Sequence, residues 1–340
     1  MGDWRGALRA DPLDWLLEPS DPAVRHLALV DLLDEPPDAP AVVRARRAAM
    51  RADPIAAIVT AQHPDGYWQK PGAGYAKKYT GTVWSLTFLD QMGADPADRR
   101  IQRACDYVLA HSAATTGGFA ASGSQVDRPP PPSEVIHCLN GNLVRALIGF
   151  GYLDDDRVRR AIEWEARSIT GEGFEDAGFR YYRSGTSGPG FRCAFNWQLP
   201  CAWGDVKAMR ALTRIPPRRR TRAVKAAIDD GVAFLLSVDP ATAAYPTGSN
   251  VSPSWFRLGF PSGYVADVLQ ILETLAELGH ARDPRLANTL ELVLSKQDDA
   301  GRWRNEYPYR GKLWAEVDEP RTPSKWVTLR ACRVLKASVG

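Results

Sequence analysis

Gln62-His63-Pro64-Asp65-Gly66-Tyr67-Trp68 and Gln297-Asp298-Asp299-Ala300-Gly301-Arg302-Trp303 share the pattern Gln-x-x-x-Gly-x-Trp, and each closes an amphipathic stretch. Weaker echoes stand at Gly117-Gly118-Phe119 and Gly171-Glu172-Gly173-Phe174. These residue types dictate a local geometry. The glycine takes a tight turn, the aromatic packs on the neighbouring unit, and the glutamine bonds to a helix end. Such a motif marks the boundary of a repeated unit.

Outward from the motifs, helical runs at 22–35, 80–92, 138–150, 201–215, 264–278 and 324–336 end near Pro36, Gly93, Gly151, Pro216, Gly279 and Gly340. The spacings of 57, 58, 65, 63 and 61 residues are nearly constant. These runs carry few charges. Val83, Leu86 and Leu89, or Leu143, Leu147 and Phe150, recur at helical spacing with small or apolar residues opposite, the signature of helices buried on most sides. Between them lie runs rich in Arg and Asp at 40–52, 97–111, 155–168, 217–236 and 283–296, suited to an outer layer. Asp95, Asp154 and Asp283 near three of their starts complement the helix dipole. No stretch alternates with period two for long enough to build a sheet.

The expected fold is all-α: one domain over 1–340, an (α/α)6 toroid of six inner and about six outer helices. Long Gly- and Pro-rich segments at 112–133, 171–199, 238–263 and 301–323 favour closure into a ring and are expected to cover one end, the active face.

With 340 residues, 44% hydrophobic and 24% charged, the chain can bury a large core, and disorder is excluded as its main state. A net charge of +3 argues against nucleic acid as a partner; the cluster Arg218-Arg219-Arg220-Thr221-Arg222 reads as a solvated loop. No apolar run is long enough for a transmembrane segment and the N-terminus lacks a signal pattern, so the expected location is cytoplasmic. Five irregularly spaced cysteines make no disulfide framework. Eleven tryptophans point to a core, a cavity wall or a binding surface.

The Gln-x-x-x-Gly-x-Trp strings resemble the QW repeat of squalene and oxidosqualene cyclases, and by extension the α/α toroid shared with protein prenyltransferase β subunits. The resemblance spans nearly the whole chain in repeat period and implies a hydrophobic, isoprenoid-type small-molecule substrate. The catalytic motifs of those families are absent. There is no Asp-x-Asp-Asp acid, no Asp-x-Cys with a distant His for zinc, and no aspartate-rich metal box. Asp154-Asp155-Asp156 reads as a solvated helix start.

Chemistry is expected instead where His137-Cys138-Leu139-Asn140 and Cys201-Ala202-Trp203-Gly204-Asp205 open two inner helices, with Cys193 in the loop between them. Helix starts favour the thiolate form. In one reading Cys138, Cys193 and Cys201, with His137 or Asp205, bind Zn²⁺, by analogy with the Cys-Cys-His site of lanthipeptide cyclases. In a second, His137, Cys193 and Cys201 perform acid–base chemistry without metal, an arrangement that resembles the paired cysteines and histidine of linalool dehydratase-isomerases. In a third the cysteines are buried fillers, as Cys105 and Cys332 are expected to be, and the toroid is a non-catalytic ligand-binding or scaffold protein.

Aromatic residues near inner-helix starts, Tyr79, Trp84, Trp203, Trp255, Tyr264 and Trp326, are expected to line a central cavity. Asn140, Asp205, Asp267 and Lys325 are the candidates for orienting a substrate there. Asp267 stands in an apolar run, where an unpaired carboxylate has a raised pKa, and is the preferred general acid should no metal be present. The loop Gly185-Thr186-Ser187-Gly188-Pro189-Gly190-Phe191 lacks the features of a phosphate loop and reads as a lid or a point of close backbone approach.

Overall fold

The computed structural model describes residues 4–122, 129–173, 187–319 and 321–339. Six largely buried helices, α2 (Pro22–Asp31), α5 (Thr82–Gln91), α7 (His137–Gly149), α9 (Ala202–Thr213), α11 (Val268–Glu277) and α13 (Lys325–Val339), coincide with the six low-charge runs. More amphipathic helices alternate with them: α3 (Pro40–Ala49) and α4 (Ile55–Thr60), α6 (Arg99–His111), α8 (Asp156–Thr170), α10 (Arg222–Leu235) and α12 (Ala287–Ser295). A short α1 (Leu13–Leu16) precedes them.

Helix starts follow the local chemistry. Asp21 caps α2 ahead of Pro22, Asp98 caps α6, Asp155 caps α8 and Thr221 caps α10, each side chain accepting a first-turn backbone N–H. The caps of α6 and α8 are thus displaced from the expected Asp95 and Asp154, while Asp283 caps a 3-10 turn over Pro284–Leu286 that leads into α12.

Along the inner layer, α5 packs on α7, α7 on α9, α9 on α11, α11 on α13 and α13 on α2. The approach of α7 to α9 requires Gly141, where a Cβ would stand 2.4 Å from the Lys207 carbonyl oxygen. Outer helices α6, α8, α10 and α12 pack on the inner helix before them, α5, α7, α9 and α11. All six inner helices contribute to one cavity of about 760 Å³ at their C-terminal ends, where the buried Arg210, Arg330 and Glu273 and the more exposed pair of Arg145 and Glu277 form ion pairs. The architecture is predominantly helical and compatible with an α/α toroid.

The two tryptophan motifs have the same construction. Each indole N–H donates to a carbonyl ten residues earlier, Trp68 to Ile58 and Trp303 to Val293, both at 2.7 Å. Their backbone N–H groups donate to Thr82 and Thr328 of the following inner helix at 3.0 and 2.9 Å. The echo at Phe119 repeats this, its N–H donating to Asn140 Oδ1 at 2.9 Å. Gln62 donates to the Arg100 carbonyl at 2.8 Å, the expected bond to a helix end. Phe174, in the fourth string, lies outside the described residues.

One expectation is corrected. A three-stranded antiparallel sheet joins β1 (Ser187–Gly188), β2 (Arg192–Cys193) and β3 (Leu199–Pro200), pairing Ser187 with Cys193 and Cys193 with Leu199. Two-residue strands are too short to show alternation in sequence. Their consequence is functional, because β2 carries Cys193 and β3 delivers the chain to Cys201 at the start of α9.

Candidate active site

The N-terminal ends of α7 and α9, the small sheet and the 243–255 segment enclose a second cavity, of about 500 Å³. His137, Cys138, Cys193, Cys201, Trp203, Trp255 and Tyr264 all line it. Sequence reasoning missed Tyr75, Lys78, Phe191 and Tyr245, which complete its walls. Phe195 and Trp197, on the turn between β2 and β3, are largely exposed, and Phe195 lines the cavity.

At its floor His137 is 2% exposed. Its Nδ1 lies 2.6 Å from Glu165 Oε1, its Nε2 lies 3.0 Å from the Gly188 carbonyl oxygen, and its backbone N–H donates to Ser187 Oγ at 3.2 Å. Two acceptors on the two ring nitrogens fit the imidazolium, which donates from both. Burial opposes that charge most strongly, but the Glu165 carboxylate, its hydrogen bond, the Gly188 carbonyl and the nearby Cys193 outweigh it and raise the His137 pKa. Glu165 also accepts from Asn140 Nδ2, so Asn140 orients the ion pair from outside the cavity. The glycine loop is therefore a wall of the site from Ser187 onward; Gly185 and Thr186 lie outside the described residues. Glu165 was the main omission. Its signal was present: it sits four residues from Ala161 and from Ile169 on the buried stripe of α8, where a carboxylate requires a partner.

Cys193, on β2, and Cys201, at the start of α9, line the same cavity and shift each other's acidity. The Cys201 side chain, the backbone N–H groups of Phe195 and Asn196 and the charge of His137 favour the Cys193 thiolate; against the opposing effect of burial, the Cys193 thiol is lowered to about 6. Cys201 moves the other way, raised by the neighbouring Cys193 and by burial. Cys138, beside Tyr75 at 4.0 Å, is raised to about 11 by burial and the Cys193 charge. The expectation that helix starts would activate Cys138 and Cys201 is corrected. Burial overrides the helix dipole at both, and the activated thiol is the one on β2.

Asp205, in the first turn of α9, is fully buried, and neither carboxylate oxygen has a hydrogen-bond partner. Burial, with the Glu165 charge, raises its pKa well above the ordinary carboxyl value, which favours the protonated form. Asp267 was expected to be an unpaired carboxylate in an apolar run and has several partners. It caps α11 through the Gln270 N–H at 2.7 Å, accepts from the Gly259 N–H at 2.9 Å, and pairs with the buried Arg330 at 3.2 Å. A carboxylate so occupied has a structural task and is not a free acid.

Other expected lining residues lie elsewhere. Tyr79 and Trp84 form a second aromatic layer behind Tyr75 and Tyr264, Trp84 donating to the Tyr75 carbonyl at 2.8 Å. Trp326 stacks on Phe260 in the core at 4.4 Å, and Lys325 reaches Glu18 at 2.7 Å, away from the cavity. Cys105 and Cys332 are buried in the core.

The residues do not fit zinc. Both His137 nitrogens are engaged, and among the described residues no three His, Cys, Asp or Glu side chains converge as a metal site. Chemically, the cavity combines the acidified Cys193 thiol, the Cys138 and Cys201 thiols and the His137 imidazole with aromatic walls, and no Asp or Glu lines it among the described residues.

No protein-family model matches the sequence. No curated protein matches it either. Among solved structures, the chain is similar to the type II terpene cyclase MstE from Scytonema in its apo form, with a TM-score of 0.44 and 14% identity over 93% of this chain and 87% of that one. A variant of the same cyclase in complex with geranylgeranyl dihydroxybenzoate gives 0.44 and 15%, over 94% and 87%. A GH76 α-mannanase of Bacteroides thetaiotaomicron gives 0.39 and 12%, over 79% and 70%. At such scores none of these proteins' chemistry transfers to this chain. Among the described residues, no helix is long and apolar enough to cross a membrane.

Proposed function

We propose that this chain is a single-domain, six-pair α/α toroid enzyme that performs acid–base lyase or isomerase chemistry on a hydrophobic, isoprenoid-type alcohol in the cavity at the N-terminal ends of α7 and α9. The observation that carries this reading is the Cys193–Cys201 pair, two thiols in one aromatic-walled cavity whose acidities are driven in opposite directions.

In this reading Cys201 donates its proton to the substrate hydroxyl, the C–O bond breaks and water leaves. The Cys193 thiolate takes a proton from the adjacent carbon, and the C–H electron pair becomes the new C=C bond. Cys193 then returns its proton to Cys201, which restores the pair. Return of water to a different carbon before it escapes makes the outcome an isomerisation. His137, held cationic by Glu165, favours the Cys193 thiolate, and rings such as Trp203, Trp255 and Tyr264 present faces that stabilise positive charge developing on carbon.

The test is incubation of the purified protein with a panel of monoterpenoid and sesquiterpenoid alcohols in deuterium oxide, read by gas chromatography–mass spectrometry. Water loss, double-bond movement or deuterium gain that disappears in Cys193→Ala and in Cys201→Ala supports the proposal. Binding of the alcohols without any conversion overturns it in favour of a ligand-binding toroid.

A further inference from the structure

Lys78 lines the same cavity and is its one lysine or arginine among the described residues. Its Nζ stands 3.9 Å from the centre of the Tyr264 ring and 5.4 Å from that of Tyr75. Tyr264 meets Trp203 edge-on, and Tyr75 stacks on Trp84, so the exposed Lys78 side chain lays its ammonium group against the cavity's own aromatic wall. No Asp or Glu side chain forms an ion pair with Lys78 among the described residues, whereas Lys325, Lys296 and Lys336 each have one. Burial lowers the Lys78 pKa, and the Cys138 thiol is the side chain that partly offsets this. The two ring faces hold the ammonium at the cavity wall while solvent still reaches it. An anion entering there meets the cavity's one cation and no acidic side chain to repel it.

Resting on the reading of the cavity as a site for a hydrophobic substrate, we propose that Lys78 anchors an anionic headgroup, so that the substrate is an amphiphile. Its hydrocarbon lies along Trp203, Trp255 and Tyr264, and a carboxylate or phosphate end reaches Lys78. Lys78 is then a specificity-determining residue and takes no part in the proton transfers at Cys193 and Cys201.

The test measures binding of farnesol, farnesoic acid and farnesyl monophosphate to the full-length protein by calorimetry at low salt. The native protein is expected to bind at least one anion about tenfold more tightly than the alcohol, the scale of one charge-assisted hydrogen bond. Lys78→Met is expected to abolish that difference and Lys78→Arg to retain it. Which anion is preferred identifies the headgroup as carboxylate or phosphate. Equal binding of alcohol and both acids overturns the role of Lys78 while leaving the cavity reading standing, as does a preference that survives in Lys78→Met. Binding of none of the three overturns both.

Discussion

Glu165 and His137 form a salt bridge of 2.6 Å in which both side chains are almost wholly buried. Their helices, α8 and α7, are consecutive outer and inner elements of one repeat, so the pair ties the active-site floor to the outer layer. Removing one partner of such a pair strands the other. Glu165→Ala is expected to cost about 3–5 kcal/mol of stability, measured by urea unfolding. Because the folded His137 pKa is raised, the pair contributes in full below the ordinary imidazole value of about 6.5, and its contribution is lost as pH rises through the folded pKa. The native protein should therefore lose stability toward alkaline pH by a component that Glu165→Ala lacks. Equal pH profiles for the two proteins would contradict the assignment.

Asp205 is expected to show the opposite economy, since its proton is retained at a cost. An acid with a raised folded pKa carries no penalty below the ordinary carboxyl value of about 4, and accumulates about 1.4 kcal/mol per pH unit above it until the folded pKa is reached. Relative to the native protein, Asp205→Asn should gain stability as pH rises from 4 toward neutrality. A stability difference independent of pH would mean that Asp205 is ionised in the folded protein.

Gly301 and Gly279 both adopt left-handed backbone, at φ +69° and +89°, but a Cβ at Gly301 would stand 1.9 Å from the Ala10 carbonyl oxygen while one at Gly279 meets nothing within 4 Å. Gly279→Ala should cost about 1–2 kcal/mol, the price of left-handed backbone alone. Gly301→Ala should cost clearly more, because the N-terminal segment must move. Comparable thermal midpoints for the two variants would show that the tryptophan motif does not need the close approach.

Much of the architecture was legible because helical repetition is written in long stretches. Twelve-residue or longer patterns of low or split charge place α2, α5, α7, α9, α11 and α13, and the near-constant spacing of their ends sets the period. The site was legible in part. Helix starts marked His137, Cys138 and Cys201, but the two-residue strands that set Cys193 against Cys201 leave no periodic trace. The choice of acid failed for a related reason. Asp267 and Asp205 both look like stray carboxylates in apolar inner runs, and what separates them is Arg330, 63 residues after Asp267, which only the folded chain brings into contact. Likewise Trp326 and Trp203 occupy similar positions in their helices, yet one stacks in the core on Phe260 and the other faces the cavity.

The most direct test is a pH titration of thiolate absorbance in the ultraviolet, on the native protein, Cys193→Ser and Cys201→Ala. One thiolate is expected to appear with an apparent pKa of about 6. It should vanish in Cys193→Ser and move toward the ordinary thiol value of about 8.5 in Cys201→Ala, since the Cys201 side chain is the largest contribution to its lowering. A native protein in which every thiol ionises above pH 8, or a titration unchanged by Cys201→Ala, would contradict the acid–base couple.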